Sequence, residues 1–273
     1  MKNINRTLWD NYDTFAVNRG ALVLDVLQAY MCVRGSKILD FGCGSGGIAL
    51  QMARAGAIVT AVDIDETKLE ILKTAARRER LSVQIEKTIP EVEYDAVLMV
   101  DVIEHITDPQ ICMQQIINVL KPGGYIYLST PNKYAFLNLL NDPHFSLPLV
   151  AVMGRDQVRK LIAGLLHWQP ANRTDFPQLL SCVQLKRLLQ KTGLHWVWVN
   201  KQVADYAFRH PQSLWNRPWH LKIIKWITRK LNRQALLKFV SDQNGIFNKW
   251  INPAWFVLAE KFPYNHSNRS GLP

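Results

Sequence analysis

The stretch "ILDFGCGSGGIAL", residues 38 to 50, decides the fold of this chain. It begins as an apolar run typical of a buried strand and ends in closely spaced glycines that precede a helix-like segment. A strand, a glycine loop and a helix in this order let the backbone turn tightly and approach a nucleotide-bearing ligand. The sequence therefore predicts an α/β domain with a cofactor site at this loop.

Two spacing patterns coexist in the loop. The G-x-G-x-x-G pattern of dinucleotide-binding enzymes is satisfied by Gly42, Gly44 and Gly47. The D-x-G-x-G-x-G pattern of proteins that bind S-adenosylmethionine (SAM) is satisfied by Asp40, Gly42, Gly44 and Gly46. Asp40 favours SAM, because a carboxylate beside the first glycine would repel a pyrophosphate but would pair with the ammonium group of a methionine moiety.

Strand and helix signals alternate from residue 37 to residue 130, which predicts a parallel sheet with crossover helices. Asp63 ends the second predicted strand, "IVTAVD", where an acidic residue binds ribose hydroxyls in both classes of cofactor enzyme. The remaining predicted strands are "KILDFG", "VQIEK", "YDAVLMV", "GGYIYLST", "HWVWVN" and "AWFVLAEK".

Several helices are predicted from their capping signals. Asp65 and Asp108 are expected to cap the helices after strands two and four, and Ser181 with Gln184 predicts a capping box. A helix is also predicted in "DQVRKLIAGLL", and a helix over residues 14–30 is expected to cover the cofactor edge of the sheet.

Composition and cysteine usage narrow the class of protein. The chain has 273 residues, of which 48% are hydrophobic and 20% are charged, so we expect one globular domain over residues 1–273. Its four cysteines form no C-x-x-C pair, so neither a disulfide framework nor a structural metal site is indicated. We find no leader-like apolar start and no spanning run, and we expect a cytoplasmic protein, with a peripheral position at the inner membrane face as the alternative.

Two segments interrupt the alternation of strands and helices. Residues 131–178 are rich in proline and aromatic residues and are predicted to form a cap insertion after strand five. Residues 201–253 form a second insertion, between strands six and seven. It contains the segment 209–249, here called the basic segment, which holds nine basic residues and one acidic residue and so carries +8 of the net charge of +11. Such a local excess predicts an anionic partner at that place.

Six segments of the chain resemble class I SAM-dependent methyltransferases: "ILDFGCGSG", "VTAVDID", "YDAVLMVDVIEHITDP", "LKPGGYIYLSTPN", "LKRLLQKTGL" and "NPAWFVLAEK". The fourth-strand and fifth-strand segments are most similar to the group that contains the ubiquinone-biosynthesis O-methyltransferases and methyltransferase types 11 and 23. The resemblance implies a Rossmann-like, doubly wound α/β fold with a mostly parallel seven-stranded sheet, an antiparallel last strand and helical cap insertions. It also implies SAM as the cofactor.

The resemblance implies roles for individual residues in SAM binding. Asp40 and the loop from Gly42 to Gly46 would hold the methionine part, Asp63 the ribose, Ile64 would pack on adenine, and Val100 or Asp101 would lie near the methyl sulfonium. The acidic-alanine pair that usually meets the adenine amino group is missing from "EKTIPEVEYD". Backbone groups near Thr88 are therefore expected to contact adenine.

Two histidines are candidates for the general base that a hydroxyl acceptor requires. His105, in "DVIEHI", follows strand four on the cofactor side, and His144, in "NDPHFSLP", lies in the cap insertion where the acceptor should enter. The alternatives are that His105 braces the helix after the strand and that His144 is an exposed turn residue. Asp101, Glu104 and His105 also resemble metal ligands proposed for the ubiquinone group, but we expect no bound metal.

The basic segment contains a predicted amphipathic helix, "WHLKIIKWITRKLNRQALLKFV". The basic face of this helix contains Lys222, Lys225, Arg229 and Arg233. The opposite, apolar face contains Leu221, Ile224, Ile227 and Leu231. The tryptophans that flank or join the helix are Trp215, Trp219, Trp226 and Trp250. One interpretation is a surface, residues 215–250, that contacts an anionic membrane; the other is that the apolar face packs on the domain and the charges are solvated. No RNA-binding motif is present, so nucleic acid is not the expected partner.

The sequence thus predicts a methyltransferase that acts on a hydroxyl of a small-molecule, lipid or lipid-linked glycan acceptor. Both insertions leave the carboxyl edge of the sheet, where ligands bind in such folds, and would cap the active site together. The alternatives are an RNA methyltransferase that uses the basic segment and a non-catalytic SAM-binding subunit at a membrane.

Overall fold

A seven-stranded sheet in the order β3-β2-β1-β4-β5-β7-β6 organises the computed structural model, which describes residues 12–169, 176–214, 218–230, 232–242 and 245–262. The strands are β1 Lys37–Phe41, β2 Ile58–Val62, β3 Val83–Glu86, β4 Tyr94–Val100, β5 Leu120–Pro131, β6 His195–Trp198 and β7 Ala254–Glu260. Strands β1 to β5 pair in parallel, and β7 runs antiparallel between β5 and β6. The predicted α/β fold class, with its antiparallel last strand, is confirmed.

Helices flank both faces of the sheet. They are α1 Tyr12–Gln28, α2 Gly47–Arg54, α3 Glu66–Glu79, α4 Pro109–Asn118, α5 Phe136–Leu140, α6 Arg155–Arg159, α7 Cys182–Gln190, α8 Asn200–Arg209, α9 Pro218–Lys230 and α10 Arg233–Ser241. Neighbouring residues of β1 belong to different cores: Ile38 packs with α1, α2 and α3, whereas Leu39 packs with α4 and α7. A strand buried on both faces in this way reads as a continuous apolar run, as in the quoted stretch.

The helix starts follow the capping signals in the sequence. The Asp65 carboxylate accepts hydrogen bonds from the backbone at the start of α3, and Asp108 does the same for α4 ahead of Pro109. Ser181 and Gln184 form the predicted capping box of α7. These caps satisfy the first backbone N–H groups of each helix, so the start of each helix is fixed locally.

Two helical segments differ from the sequence prediction. The helix predicted in "DQVRKLIAGLL" begins as α6 and widens into a π-helix over Lys160–Leu165. The single helix predicted in the basic segment is two helices, because the Asn232 side chain accepts a hydrogen bond from the Gln234 N–H and starts α10. Trp215 and Leu231 of that prediction lie outside the described residues.

The break changes the interpretation of the basic segment. Arg233, predicted on the basic face of one long helix, belongs to α10 and pairs with Asp205 of α8. Leu221 and Ile224 are half-buried where α9 packs against α8, so part of the predicted apolar face lies on the protein. In the part of the chain that the structure describes, we find no helix both long and apolar enough to cross a membrane.

Candidate functional site

The glycine loop between β1 and α2 has a backbone that only glycine adopts without strain. The φ angles of Gly42, Gly44 and Gly46 are +73°, +55° and +84°, in the left-handed region. A Cβ atom added to Gly46 would lie 2.2 Å from the Leu72 side chain, and one added to Gly42 would lie 2.5 Å from Val102. The spacing of the glycines is therefore required by the geometry of the loop and by its packing.

Asp63, at the end of β2, holds the glycine loop in place. Its Oδ2 accepts a hydrogen bond of 2.8 Å from the Gly44 N–H, and its Oδ1 accepts one of 2.9 Å from the Asp65 N–H. Charge-assisted bonds of this kind are stronger than those between neutral groups. The ribose role predicted for Asp63 stays a prediction beside this structural role. Ile64, predicted to pack on adenine, follows Asp63 and is 79% exposed.

Asp40 supplies a buried carboxyl group with an oxygen that has no hydrogen-bond partner. The residue is 2% exposed, and its Oδ2 is without a partner among the described residues. Burial, together with the smaller effect of the Asp63 charge, raises the pKa of Asp40 to about 7, although a hydrogen bond from the Ala49 backbone opposes the shift. A cation next to this oxygen would stabilise the ionised form, so the group fits the ammonium of the SAM methionine moiety.

Asp101, directly after β4, is held in an unusual backbone conformation by two partners. Its φ angle is +56°, its Oδ1 accepts a 2.8 Å hydrogen bond from Ser129 Oγ, and its Oδ2 lies 3.3 Å from Arg19 Nη2. Arg19 is only 7% exposed and its guanidinium lies 5.2 Å from the centre of the Phe256 ring. Helix α1 therefore covers this edge of the sheet, as expected, but nothing in the sequence singled out Arg19.

Glu104 is a fully enclosed carboxyl group beside Asp101. Its Oε2 accepts a 2.9 Å hydrogen bond from Thr130 Oγ1, whereas Oε1 has no hydrogen-bond partner in the described part of the chain. Burial and, to a smaller extent, the charge of Asp101 raise the pKa of Glu104 to about 8, although the bond from Thr130 opposes the shift. A proton or a cation near Oε1 is therefore favoured at neutral pH.

The two candidate histidines, which come from separate segments, meet at this carboxyl group. The His105 and His144 rings are 4.9 Å apart in an edge-to-face arrangement. His144 Nε2 lies 3.9 Å from Glu104 Oε1, and His144 Nδ1 lies 3.9 Å from Asp142 Oδ1. Asp142 is itself buried and accepts 2.9 Å hydrogen bonds from the backbone N–H groups of His144 and Phe145, which shape the turn.

Arg155 fastens the cap insertion to the turn that carries Glu104. Its guanidinium donates hydrogen bonds of 3.2, 3.0 and 2.8 Å to the carbonyl oxygens of Glu104, His105 and Ile106. The Gln178 N–H donates to the same Glu104 carbonyl at 2.8 Å. Sequence reasoning missed Arg155, because the partners of such a brace are backbone atoms about 50 residues away.

The donor atoms of Glu104, His105 and His144 lie within 4.8 Å of one another and could hold a metal ion. Two imidazoles and a carboxylate are ligands that suit a divalent transition metal. The set differs from the one implied by the resemblance, because Asp101 is paired with Arg19 and His144 takes its place. The expectation of no bound metal stays a prediction.

A network of buried asparagines joins the two insertions beside this site. The Asn132 side chain donates to three backbone carbonyls of residues 248–252, and Asn138 donates to the carbonyls of Asn132 and Pro253. Asn248 Oδ1 accepts from the side chains of Asn200 and Asn252, each at 3.0 Å. Isolated asparagines in "PNKYAFLN" and "FNKWINP" gave no signal of this in the sequence.

The comparisons with known proteins agree with this geometry. A family model described as a methyltransferase domain matches residues 15–198, about two thirds of the chain. A ubiquinone biosynthesis O-methyltransferase from Dinoroseobacter shibae is 32% identical over 167 residues, which cover 59% of this chain and 60% of that protein. A protein of the same name from Coxiella burnetii is 26% identical over 187 residues, which cover 63% of this chain and 73% of that protein.

Solved structures show the same fold at lower identity. The plantazolicin methyltransferase BpumL in complex with SAH superimposes with a TM-score of 0.55 at 14% identity, covering 96% of this chain and 92% of that one. A SAM-dependent methyltransferase from Mesorhizobium loti gives a TM-score of 0.53 at 16% identity, with 86% and 95% covered. These structures show the fold alone, whereas the family model, which spans β1 to β6, shows that the chain belongs to this family of methyltransferase domains.

Proposed function

We propose that the enzyme methylates a hydroxyl group of a small apolar or lipid-linked acceptor, with His144 as the general base. The observation that carries this proposal is the position of His144. The cap insertion brings its imidazole to within 3.9 Å of two buried carboxyl groups, Glu104 and Asp142, at the carboxyl edge of the sheet. Two flanking carboxylates stabilise an imidazolium ion, which is the form that a general base takes after it accepts the proton.

The residues that would hold SAM are Asp40, the glycine loop and Asp63, with Ile64 and Asp101 beside them. SAM, when bound, supplies a methyl group already activated by its sulfonium. Most of the rate enhancement then comes from alignment in a dry cleft, which can contribute about 7 to 11 kcal/mol. The enclosed Glu104 and the cap insertion that Arg155 fastens over it support the exclusion of water from that cleft.

The proton of the acceptor hydroxyl is the second requirement. His144 Nε2 would accept this proton, and the Asp142 carboxylate, 3.9 Å from Nδ1, would stabilise the positive charge of the protonated ring. A positioned base typically contributes about 10²- to 10⁴-fold in rate. His105, edge-on to His144, is the second candidate for this role, and its turn is held by Arg155 from the cap insertion.

Replacement of His144 by alanine tests the proposal. We expect His144→Ala to lower kcat about 10²-fold or more and to leave the Kd for SAM within about twofold, because His144 lies apart from the glycine loop. The matched control is His195→Ala, an exposed histidine on the edge strand β6, which should change neither quantity. An equal loss of turnover and SAM binding in His144→Ala would contradict the proposed role.

The acceptor class is tested by transfer of labelled methyl groups from SAM into a host-cell extract, followed by separation into organic and aqueous phases. Label in the organic phase is the expected result. Label confined to the aqueous phase would contradict a lipid acceptor, and its release by RNase would favour the RNA alternative. Intact SAM binding with no label in either phase would favour a non-catalytic subunit.

A further inference from the structure

Two short helical segments near the candidate site bury a polar side chain and expose apolar side chains. Helix α5, "FLNLL", buries Asn138 and leaves Phe136, Leu137 and Leu140 exposed by 61%, 42% and 55%. The π-turn Phe247–Ile251, "FNKWI", buries Asn248 and exposes Trp250 by 52%. A helix on the surface of a water-soluble domain normally does the opposite, so these segments leave an apolar surface uncovered.

These exposed side chains form one rigid surface. Helix α5 packs against the π-turn, and the rings of Tyr134 and Trp250 lie 6.3 Å apart. The Leu149 N–H donates a 2.7 Å hydrogen bond to the Leu139 carbonyl, which places a further exposed leucine beside α5. The apolar platform is defined here as Phe136, Leu137, Leu140, Leu149, Trp250 and Ile251.

The asparagine network explains how an apolar surface can stay exposed without collapsing inward. Asn138 and Asn248 are 6% and 1% exposed, and their side chains bond to backbone carbonyls and to other buried amides. Turning either segment over would bury the apolar residues but would leave these amide groups and carbonyls without partners, which is costly. The network therefore holds the apolar platform outward.

Charges on the π-turn and on α9, which are connected through the packed helix pair α8 and α10, limit what can cover the apolar platform. Lys249 is exposed in the same turn, and α9 presents Lys222, Lys225 and Arg229 with an exposed Trp226 among them. A second copy of this chain would bring one basic segment against another, and the like charges would repel. Lysines that flank exposed aromatic and aliphatic residues match the headgroup and acyl layers of an anionic bilayer.

We propose that the apolar platform docks on an anionic lipid bilayer, with the exposed face of α9 on the headgroups. The half-buried Leu221 and Ile224 leave α9 poorly suited to insert by itself, so the apolar contact comes from α5 and the π-turn instead. His144 lies four residues after α5, so a bilayer seated on this surface is next to the proposed acceptor site. The purpose of docking, access to a lipid-linked acceptor, rests on the proposed function, whereas lipid binding itself does not.

Co-sedimentation of the full chain with phosphatidylcholine vesicles, with and without phosphatidylglycerol, tests the docking surface. We expect binding to the mixed vesicles that weakens with salt. Phe136→Ser should weaken vesicle binding at least about tenfold, because the variant lacks the phenylalanine ring that the bilayer would bury. Ile58→Ser is the matched control, since Ile58 is 58% exposed at the amino-terminal end of β2. This variant should bind as the wild type does.

The charged face is tested by Lys222→Gln with Lys225→Gln, for which we expect about fivefold weaker binding per lysine. Arg77→Gln with Arg78→Gln, at two exposed residues near the end of α3, removes the same charge and should have no effect. The Kd for SAM serves as the measure of folding for every variant. Failure of the wild type to bind mixed vesicles at low salt, or equal losses in Phe136→Ser and Ile58→Ser, would overturn the proposal.

Two further outcomes separate the alternatives. A dimer that dissociates in the Phe136→Ser variant would show that a second copy of the chain covers the apolar platform. Loss of vesicle binding in the presence of RNA would show that a nucleic acid binds the basic face. Either result overturns the proposal of a docked bilayer. Vesicle binding without methyl transfer to any organic-phase acceptor would remove the proposed function and leave the docking surface in place.

Discussion

The cofactor side and the acceptor side of this enzyme are built by different kinds of interaction. On the cofactor side, Asp63 bonds the loop residue Gly44 across 19 positions of sequence, and the loop keeps its shape through positive φ angles. On the acceptor side, Asn132 bonds the carbonyl of Asn248 across 116 positions. The first site is a property of the local backbone, and the second depends on side chains from distant segments.

This difference predicts that the two sides fail separately. A fault in the glycine loop should weaken SAM binding, because the backbone of this loop is the proposed binding site. A fault in the asparagine network should loosen the insertions and leave the sheet and the cofactor loop folded, because few of its bonds reach β1, β2 or β4. Segments held by their own contacts commonly open independently of the rest of a protein.

The largest expected effect comes from Asn248→Ala. It removes hydrogen bonds to the carbonyls of Val240 and Asp242 and from two asparagine side chains, so we expect a loss of about 4 kcal/mol in stability on that side. Hydrogen exchange should rise over residues 233–242 and 245–252 and stay unchanged in α2. Asn118→Ala, at an exposed asparagine, is the control. A uniform rise in hydrogen exchange across the chain would contradict the independence of the cofactor side and the acceptor side.

Gly46→Ala is the corresponding change on the cofactor side. The Cβ clash of 2.2 Å with Leu72 adds to the cost of a side chain at a φ angle of +84°, for a total of about 3 kcal/mol. SAM affinity, measured by calorimetry, should fall at least about tenfold. Gly123→Ala has a similar φ angle of +78° with nothing within 4 Å, so it isolates the backbone strain. An equal loss of stability in Gly46→Ala and Gly123→Ala would show that the clash with Leu72 is unimportant.

The pH dependence of Asp40 gives a smaller effect with a definite sign. Its folded pKa of about 7 lies above the unfolded value of 3.8, so its contribution to stability is present at low pH and is lost as the pH rises through about 7. SAM affinity should rise over the same range, because the ammonium group binds the ionised carboxylate. Asp40→Asn should flatten both curves and weaken SAM binding about tenfold at pH 8. A wild-type affinity independent of pH would count against this role.

The smallest effect is expected for Asp205→Asn, which weakens the ion pairs of Asp205 with Arg209 in the same helix, α8, and with Arg233 of α10. These groups are largely exposed, so urea unfolding should show a loss of about 0.5 kcal/mol. SAM affinity should not change. A loss similar to that of Asn248→Ala would mean that ion pairs, rather than buried amides, hold the basic segment on the protein.

Sequence reasoning reached the cofactor side in detail and the acceptor side only in part. The positions of the strands, the helix caps at Asp65 and Asp108 and the glycine spacing depend on residues near one another in the chain, so their patterns are visible. His105 and His144 were identified one by one, but their contact was not. Arg19 and Arg155 carry no local signal, since one pairs with a carboxylate 82 residues away and the other with backbone oxygens.

The basic segment shows why a helical pattern can mislead. Its charges predict one continuous amphipathic helix, yet the Asn232 side chain caps a second helix and Asp205 binds Arg233. The same composition can satisfy either arrangement locally. The choice depends on what α8 and the π-turn present to the segment, which are tertiary contacts.

By itself, the sequence determined the alternation of strands and helices and the glycine loop, because strand periodicity, capping residues and glycine spacing act over a few residues. It also contains the segments that resemble SAM-dependent methyltransferases. Only the tertiary structure decided that His144 meets Glu104, that Arg155 fastens the cap insertion, and that buried amides turn Phe136 and Trp250 outward. These arrangements depend on hydrogen bonds between segments far apart in the chain, and a buried polar group takes whichever partner the fold brings to it.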